Sequence, residues 1–325
     1  MKDQTRLRKL GNSDLYLTPI GLGCWQFSRG KGLFGNYWSF LEESVIRDII
    51  HSSIEGGINW FDTAEAYGWG ESERMLSQAL QSLQIPPEKI FIASKWSPLF
   101  RTARSISRTI EIRMRSLHPY PISLYQIHNP FSFSSIVSQM DEMSRLLKEN
   151  KIRYVGVSNF SARQMVKAQQ ELKKAGCLLV SNQVRYHLLD RKIESNGILE
   201  TARELGVAII AYSPLAQGIL SGKFHRHPQL LDNLQGARKY LPSFRKKNLQ
   251  KSQPVIDLLE QLAEEYQVTP AQVALNWLIN IHGELVFAIP GASGVRQASE
   301  NSGALHFSLS LEDGQALDEI SRQFK

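Results

Sequence analysis

Eight short apolar runs, each trailed by a stretch with helical spacing, leave this chain few architectures. The runs fall at residues 20–25, 58–61, 90–93, 122–127, 152–157, 178–183, 207–212 and 285–289. Half of them, at 20–25, 90–93, 207–212 and 285–289, are continuously apolar rather than alternating, as expected of strands buried on both faces. Between them, apolar residues recur every three or four positions: Val45, Ile49, Ile50 and Ile54 within 42–55, and Met75, Leu76, Ala79, Leu80 and Leu83 within 71–83. Gly56-Gly57 ends the first of these helices as C-terminal glycines usually do, and Ser161 is a good N-cap for 161–174. Further helices are expected at 103–117, 135–148, 193–205 and 295–301. Strands and helices in alternation point to a parallel sheet, and eight such units to a closed barrel.

Three stretches interrupt the rhythm. Residues 6–10 and 15–18 flank Gly11-Asn12-Ser13-Asp14 and read as a hairpin able to plug a barrel floor. Residues 217–250 carry glycine, proline and basic residues with little periodicity, too long for an ordinary connection. Helix-like segments at 254–266 and 270–280 then precede the last strand, and 311–324 has the spacing of one more amphipathic helix. The expectation is an α/β fold: a (β/α)8 TIM barrel with an N-terminal β-hairpin, a long loop after strand seven and extra C-terminal helices, in a single domain over residues 1–325.

At 325 residues with 42% hydrophobic and 21% charged content, the chain is normal for one such barrel. No apolar run approaches the ~20 residues that span a bilayer, and residues 1–10 are charged rather than signal-like. Two cysteines, Cys24 and Cys177, are too few for a disulfide framework. These features lead us to expect a cytoplasmic protein with reduced thiols, no bound metal and no membrane partner. The net charge of +7 is spread thinly. Its densest stretches, 101–115 and 225–251, carry no nucleic-acid motif, and the first reads as a helix with a solvated face.

The chemistry concentrates at strand ends. Ile58-Asn-Trp-Phe-Asp62 delivers a carboxylate, with Tyr67 five residues on; Lys95 and His128 close the next two strand-like runs. In a barrel of this type the site lies at the carboxyl ends of the strands, so these four residues would meet. A phenol ionises near pH 10 and burial raises that further. Lys95 beside Tyr67 would lower it, Asp62 would keep the ammonium charged, and His128 would donate a hydrogen bond to a substrate oxygen. Such a relay protonates an alkoxide as a carbonyl accepts hydride, or deprotonates an alcohol in reverse. Taken alone, each residue has a plainer reading: Asp62 a turn residue, Lys95 a solvated strand end, His128 a turn histidine before Asn129-Pro130.

The chain resembles the aldo-keto reductase family from end to end. The resemblance rests on Gly21-Leu22-Gly23 with Trp25, Asp62-Thr63-Ala64 with Tyr67, Ser94-Lys95, Gln126-Ile127-His128, Gly156-Val157-Ser158-Asn159-Phe160, Gln183, Ala211-Tyr212-Ser213-Pro214-Leu215, and Ile289-Pro290-Gly291-Ala292-Ser293 with Glu300-Asn301. It implies an NADPH-dependent oxidoreductase that reduces aldehydes or ketones, or oxidises the alcohols, with Tyr67 as proton donor and Asp62, Lys95 and His128 as its partners. It also implies a nicotinamide dinucleotide laid across the barrel mouth. Ser158, Asn159 and Gln183 would hold the carboxamide, and Tyr212 would stack on the nicotinamide, with Cys24, Trp25 and Asp62 nearby. Ser213, Pro214, Leu215, Gln217, Gly218 and Lys223 would follow the pyrophosphate; Gly291, Ser293, Arg296, Gln297, Glu300 and Asn301 would take the adenosine end.

Gly294 stands where relatives that prefer NADPH often carry a basic residue, with Arg296 as a substitute and NADH as the competing cofactor. Lys223, Arg226, Arg238 and Lys239 would form a basic strap over the phosphates. Trp25, Phe27, Trp69, Trp96 and His128 would line the substrate pocket. Phe34, Tyr37, Trp38, Phe100, Phe131 and Phe133 fall in the same loops, and residues 28–35 read as a mobile lid. Cys24 reads as a packing residue rather than a nucleophile. The chain also resembles potassium-channel β subunits, which gives the alternative of a nucleotide-holding regulatory module with little turnover. A barrel lyase or isomerase without a redox cofactor is a third reading.

Overall fold

The computed structural model describes residues 7–32, 37–234 and 236–325. Phe34 and part of the expected 28–35 lid lie outside them. A hairpin of β1 (Arg8–Lys9) and β2 (Tyr16–Leu17) comes first. Eight parallel strands follow: β3 (Leu22–Gly23), β4 (Trp60–Asp62), β5 (Phe91–Trp96), β6 (Ile122–Ile127), β7 (Tyr154–Ser158), β8 (Leu179–Arg185), β9 (Ala208–Tyr212) and β10 (Val286–Ile289), each paired with its neighbour in sequence.

Bonds from Gly21 N to Ala288 O (2.9 Å), Ala288 N to Pro19 O (2.9 Å) and Gly23 N to Pro290 O (3.0 Å) bring the first and last strands together. Glycine is needed at this seam. A Cβ on Gly21 would lie 2.3 Å from the Trp60 ring, and one on Gly23 would lie 2.8 Å from the Ile289 carbonyl oxygen.

Helices α1 (Glu43–Glu55), α2 (Glu71–Ser82), α3 (Arg104–Leu117), α4 (Ile136–Lys148), α5 (Ala162–Lys174) and α6 (Ile198–Leu205) follow the first six barrel strands. Ser161 caps α5 in a reciprocal capping box with Gln164, so the N-terminal amides are satisfied locally. After β9 come 3-10 turns, the short α7 (Lys223–Arg226), then α8 (Lys246–Glu265) and α9 (Pro270–Asn280). Helices α10 (Val295–Gly303) and α11 (Leu311–Ile320) follow β10. Among the described residues no helix is long and apolar enough to cross a membrane.

Several bounds differ from the sequence expectation. Trp25 lies in a 3-10 turn, Trp25–Ser28, rather than in the first strand, and α6 begins at Ile198 rather than at 193. The larger change is α8, which starts eight residues before Pro254 and runs through it. An interior proline costs roughly 3 kcal/mol. Here Leu249, Ser252, Val255, Ile256 and Leu259 are all buried along one face, and that burial outweighs the lost bond.

Two apolar layers result. Between strands and helices lies the larger core. Inside the barrel, Leu10, Leu15 and Leu17 of the hairpin pack with Trp60, Ala93, Leu124, Val180, Ala208, Ile210, Phe287 and Ile289, closing the floor. Side chains alternate along a strand, so the inward positions two residues beyond Trp60, Ala93 and Leu124 are Asp62, Lys95 and Gln126. The interior turns polar at that level, beneath the mouth.

Candidate active site

Four strands converge on the Asp62 carboxylate. Lys95 Nζ on β5 donates to Asp62 Oδ1, while Gln183 Nε2 on β8 and Gln126 Nε2 on β6 donate to Oδ2 at 2.8 and 3.1 Å. Asp62 and Lys95 are almost completely buried, so a stripped partner would leave an uncompensated charge worth ~3–5 kcal/mol. Lys95 also donates to the Thr63 carbonyl (2.9 Å) and to the Tyr67 hydroxyl (3.3 Å). Tyr67 stands in the turn after β4, its amide bonded to Ala64 O at 3.1 Å. His128, just beyond β6, presents its ring edge-on to Tyr67 with centroids 5.5 Å apart. All four residues expected to meet do so.

The electrostatics differ in one respect. Burial pushes the Tyr67 phenol up, Lys95 pulls it back and Asp62 opposes Lys95, and the net direction is upward, not the lowering that Lys95 was expected to impose. Tyr67 therefore keeps its proton near neutral pH. Burial works against the Lys95 ammonium, but the charge of Asp62 and the phenol more than offset it, so Lys95 stays charged. Burial, aided by Lys95, lowers His128 to about 3. A neutral imidazole has one N–H to donate and no charge to lose.

Trp25 stacks beside Tyr67 (5.9 Å, 24°) and on Tyr37 (4.6 Å, 22°), with Trp38 edge-on at 5.8 Å. Two expected pocket residues lie elsewhere. Lys95 points inward, so its neighbour Trp96 points outward, fully buried against α3 with Nε1 bonded to Ser105 Oγ at 3.0 Å. Phe27 is likewise buried in the helix-facing core. Cys24, expected near the nicotinamide, is fully buried. Its amide is bonded to Asp62 O, its carbonyl accepts from Ser72 Oγ, and burial drives its thiol pKa well up. Trp69 is 72% exposed at the rim, with Phe100, Phe131 and Phe133 similarly exposed on the next two loops. Phe133 N and Ser132 Oγ both donate to Arg101 O, stitching those loops together.

Of the residues expected to hold a dinucleotide, those for the carboxamide and the nicotinamide ring are joined by hydrogen bonds. Ser158 Oγ donates to Gln183 O (2.9 Å), Asn159 Nδ2 to Ser158 Oγ (3.0 Å) and Tyr212 OH to Asn159 Oδ1 (3.1 Å). Beyond Ser213, Pro214 and Leu215 the chain coils tightly, with φ of 60° at Gln217 and 92° at Gly218. Lys223 and Arg238 flank this coil, half-buried, and burial together with their mutual repulsion lowers Lys223. Among the described residues no carboxylate pairs with either, an arrangement costly unless an anion completes it, and one that suits a pyrophosphate.

The strap reaches further than its sequence indicated. The Arg238 guanidinium sits 4.4 Å over the Trp38 ring and donates to Gln217 O, while Tyr37 OH donates to Gln217 Oε1 at 2.8 Å. Among the residues expected at the adenosine end, Ser293 N bonds Gln297 Oε1 (2.7 Å), Asn301 Nδ2 bonds Gly291 O (3.3 Å) and Arg296 pairs with Glu300 (2.7 Å). The amide link from Gln126 to Asp62 was missed. Its sequence signals were a polar residue at an inward strand position and the Gln126-Ile127-His128 motif, neither of which names a partner.

The family model described as "Aldo/keto reductase family" matches residues 19–322. An uncharacterized oxidoreductase of Mycobacterium tuberculosis is 37% identical over 312 residues, 95% of this chain and 91% of that one. An NADH-specific methylglyoxal reductase of Escherichia coli is 31% identical, covering 96% of this chain and 97% of its own. Among solved structures, the glycerol dehydrogenase of Gluconobacter oxydans superposes with a TM-score of 0.83 at 28% identity, over 99% of this chain and 97% of that one. An aldo/keto reductase of Klebsiella pneumoniae in complex with NADP and acetate gives 0.74 at 26% identity, over 98% and 95%.

Proposed function

This chain belongs to the aldo/keto reductase family, and from that premise we propose that it reduces aldehydes or ketones to alcohols, or runs the reverse, with NADPH as the preferred cofactor and Tyr67 as the proton donor. The observation that carries the reading is the Lys95 ammonium, 3.3 Å from the Tyr67 hydroxyl while held by Asp62. When bound, the dinucleotide supplies the hydride. Tyr67 passes its proton to the carbonyl oxygen as negative charge develops there, and Lys95 stabilises the phenolate left behind. Neutral His128 donates to the same oxygen and orients it. Ser158, Asn159 and Gln183 would hold the carboxamide, Tyr212 would stack on the nicotinamide, and Lys223 with Arg238 would take the pyrophosphate charge. The protein would work in the cytoplasm on a small carbonyl compound.

A second reading exchanges the cofactor. Arg296, two residues after Gly294 in the chain, is 88% exposed and already paired with Glu300, and the Escherichia coli relative is NADH-specific. Titration with both nucleotides separates the two readings. Tighter NADPH binding that is lost in Arg296→Ala supports the first, and equal or tighter NADH binding supports the second. For the reaction itself, purified protein with NADPH and a panel of aldehydes should consume reduced nicotinamide. Tyr67→Phe should lower kcat by roughly 10²–10⁴-fold, the usual worth of a positioned proton donor, with nucleotide affinity unchanged. Full turnover by that variant overturns the assignment.

A further inference from the structure

We propose that Gln126, which has no part in the proton-transfer set above, is a positioning residue that fixes the Asp62 carboxylate, and through it the Lys95 ammonium beside Tyr67. The inference rests on the reading of Tyr67 and Lys95 just given.

Gln126 is fully buried on β6. Its Nε2 donates to Asp62 Oδ2 at 3.1 Å, and Gln183 Nε2 donates to the same oxygen at 2.8 Å and to Gln126 Oε1 at 3.4 Å. An ionised carboxylate only accepts, so both glutamines must turn their amide N–H groups toward it, which settles the orientation of each amide. Lys95 takes the other oxygen.

The fold makes room for this side chain. Gly156 of β7 lies opposite Gln126 in the strand register. A Cβ there would come within 2.9 Å of Gln126 Cγ and 2.4 Å of Ser181 Oγ. The inward residue two positions earlier on β6 is Leu124, and a leucine or methionine would fill the next level as well. Burying a primary amide instead is unfavourable unless its hydrogens are used, and Asp62 is what uses them.

The groups facing Asp62 are Lys95 from β5, Tyr67 from the turn after β4, the Cys24 thiol from the turn after β3, and the two amides from β6 and β8. With one donor removed, the carboxylate is free to turn. Lys95, held through the other carboxylate oxygen, then no longer stays beside the Tyr67 hydroxyl.

The test is Gln126→Met, close in shape and without a donor, with Gln126→Leu as the alternative if methionine does not fold. We expect kcat to fall about tenfold or more, the size of one lost hydrogen bond to a charged group. NADPH affinity should stay within about twofold, so that the loss falls on kcat. Thermal unfolding gives a readout independent of turnover. The variant should melt below the parent, and the difference should shrink once both carry Asp62→Asn, as for two residues joined by a bond. A variant with parental kcat, or a melting difference of the same size with Asp62→Asn, overturns the proposal. Absence of turnover in the parent itself overturns the reductase reading, and the melting curves still decide the role of Gln126.

Discussion

At the residue scale, strand parity decides what each side chain can do. Lys95 and Trp96 are adjacent, yet one enters the site and the other packs under α3, fully buried. The sequence marked both as mouth residues, because an apolar run tells where a strand ends more readily than which of its faces is inward. Asp62, Tyr67, Lys95 and His128 were legible because all four stand at strand ends, and barrel geometry gathers strand ends regardless of exact register. Gln126 was not legible in that way, since its role depends on a partner 64 residues away. Two histidines have a consequence for stability. His128 and His187 are both lowered to about 3, chiefly by burial. Their unfolded values lie near 6.5, so the unfolded chain binds more protons between those limits. The stability tied to keeping them neutral is full above about pH 6.5 and is lost as pH falls from there toward 3. Chemical denaturation measured from pH 7.5 to 5 should show a midpoint that drops on acidification. In His187→Asn, which leaves the proposed proton-transfer residues unaltered, the drop should be shallower.

At the scale of elements, amphipathic spacing and caps placed most helices, with Ser161 opening α5 as expected. The expectation failed where a local rule met a tertiary one. Pro254 normally opens a helix, and that rule set the start of α8 too late, because nothing local reveals that Leu249 and Ser252 already face the core. Brevity misled at the first strand too. Residues 20–25 look like a full strand, but only Leu22–Gly23 belongs to one, since Gly21 and Gly23 serve a close approach rather than a long ladder. This makes the seam between β3 and β10 a sensitive point. A Cβ on Gly21 would press into the Trp60 ring at 2.3 Å, and overpacking of that kind costs about 1–3 kcal/mol. Gly21→Ala should lower the melting temperature by several degrees. Trp60 fluorescence should change in parallel, and an unchanged melting temperature would show that the seam can yield.

Across the whole molecule, the chain has divided its mouth into unlike sectors. On one side, Lys223, Arg238 and the coil at 217–218 form a cationic strap tied through Trp38 and Gln217 to the Trp25 and Tyr37 stack. On the other, Trp69, Phe100, Phe131 and Phe133 stand exposed on three successive loops after β4, β5 and β6. Phe100 and Phe133 lie 6.2 Å apart, and the Arg101 carbonyl ties their loops together. Large aromatics left this exposed cost free energy in water unless something covers them. They border the Tyr67 and His128 side of the site, so the reacting carbonyl should carry an apolar or aromatic substituent long enough to reach them. A homologous series of linear aldehydes measures this. With the parent, kcat/KM should rise with chain length, each buried methylene worth up to about 0.8 kcal/mol, and level off once the rim is spanned. In the double variant Phe131→Ala with Phe133→Ala, the slope should flatten for the longer aldehydes, while the shortest are turned over as before because Tyr67, Lys95 and Asp62 are untouched. A parent that shows no dependence on chain length, or a double variant that loses short and long aldehydes equally, would place the substrate away from this rim.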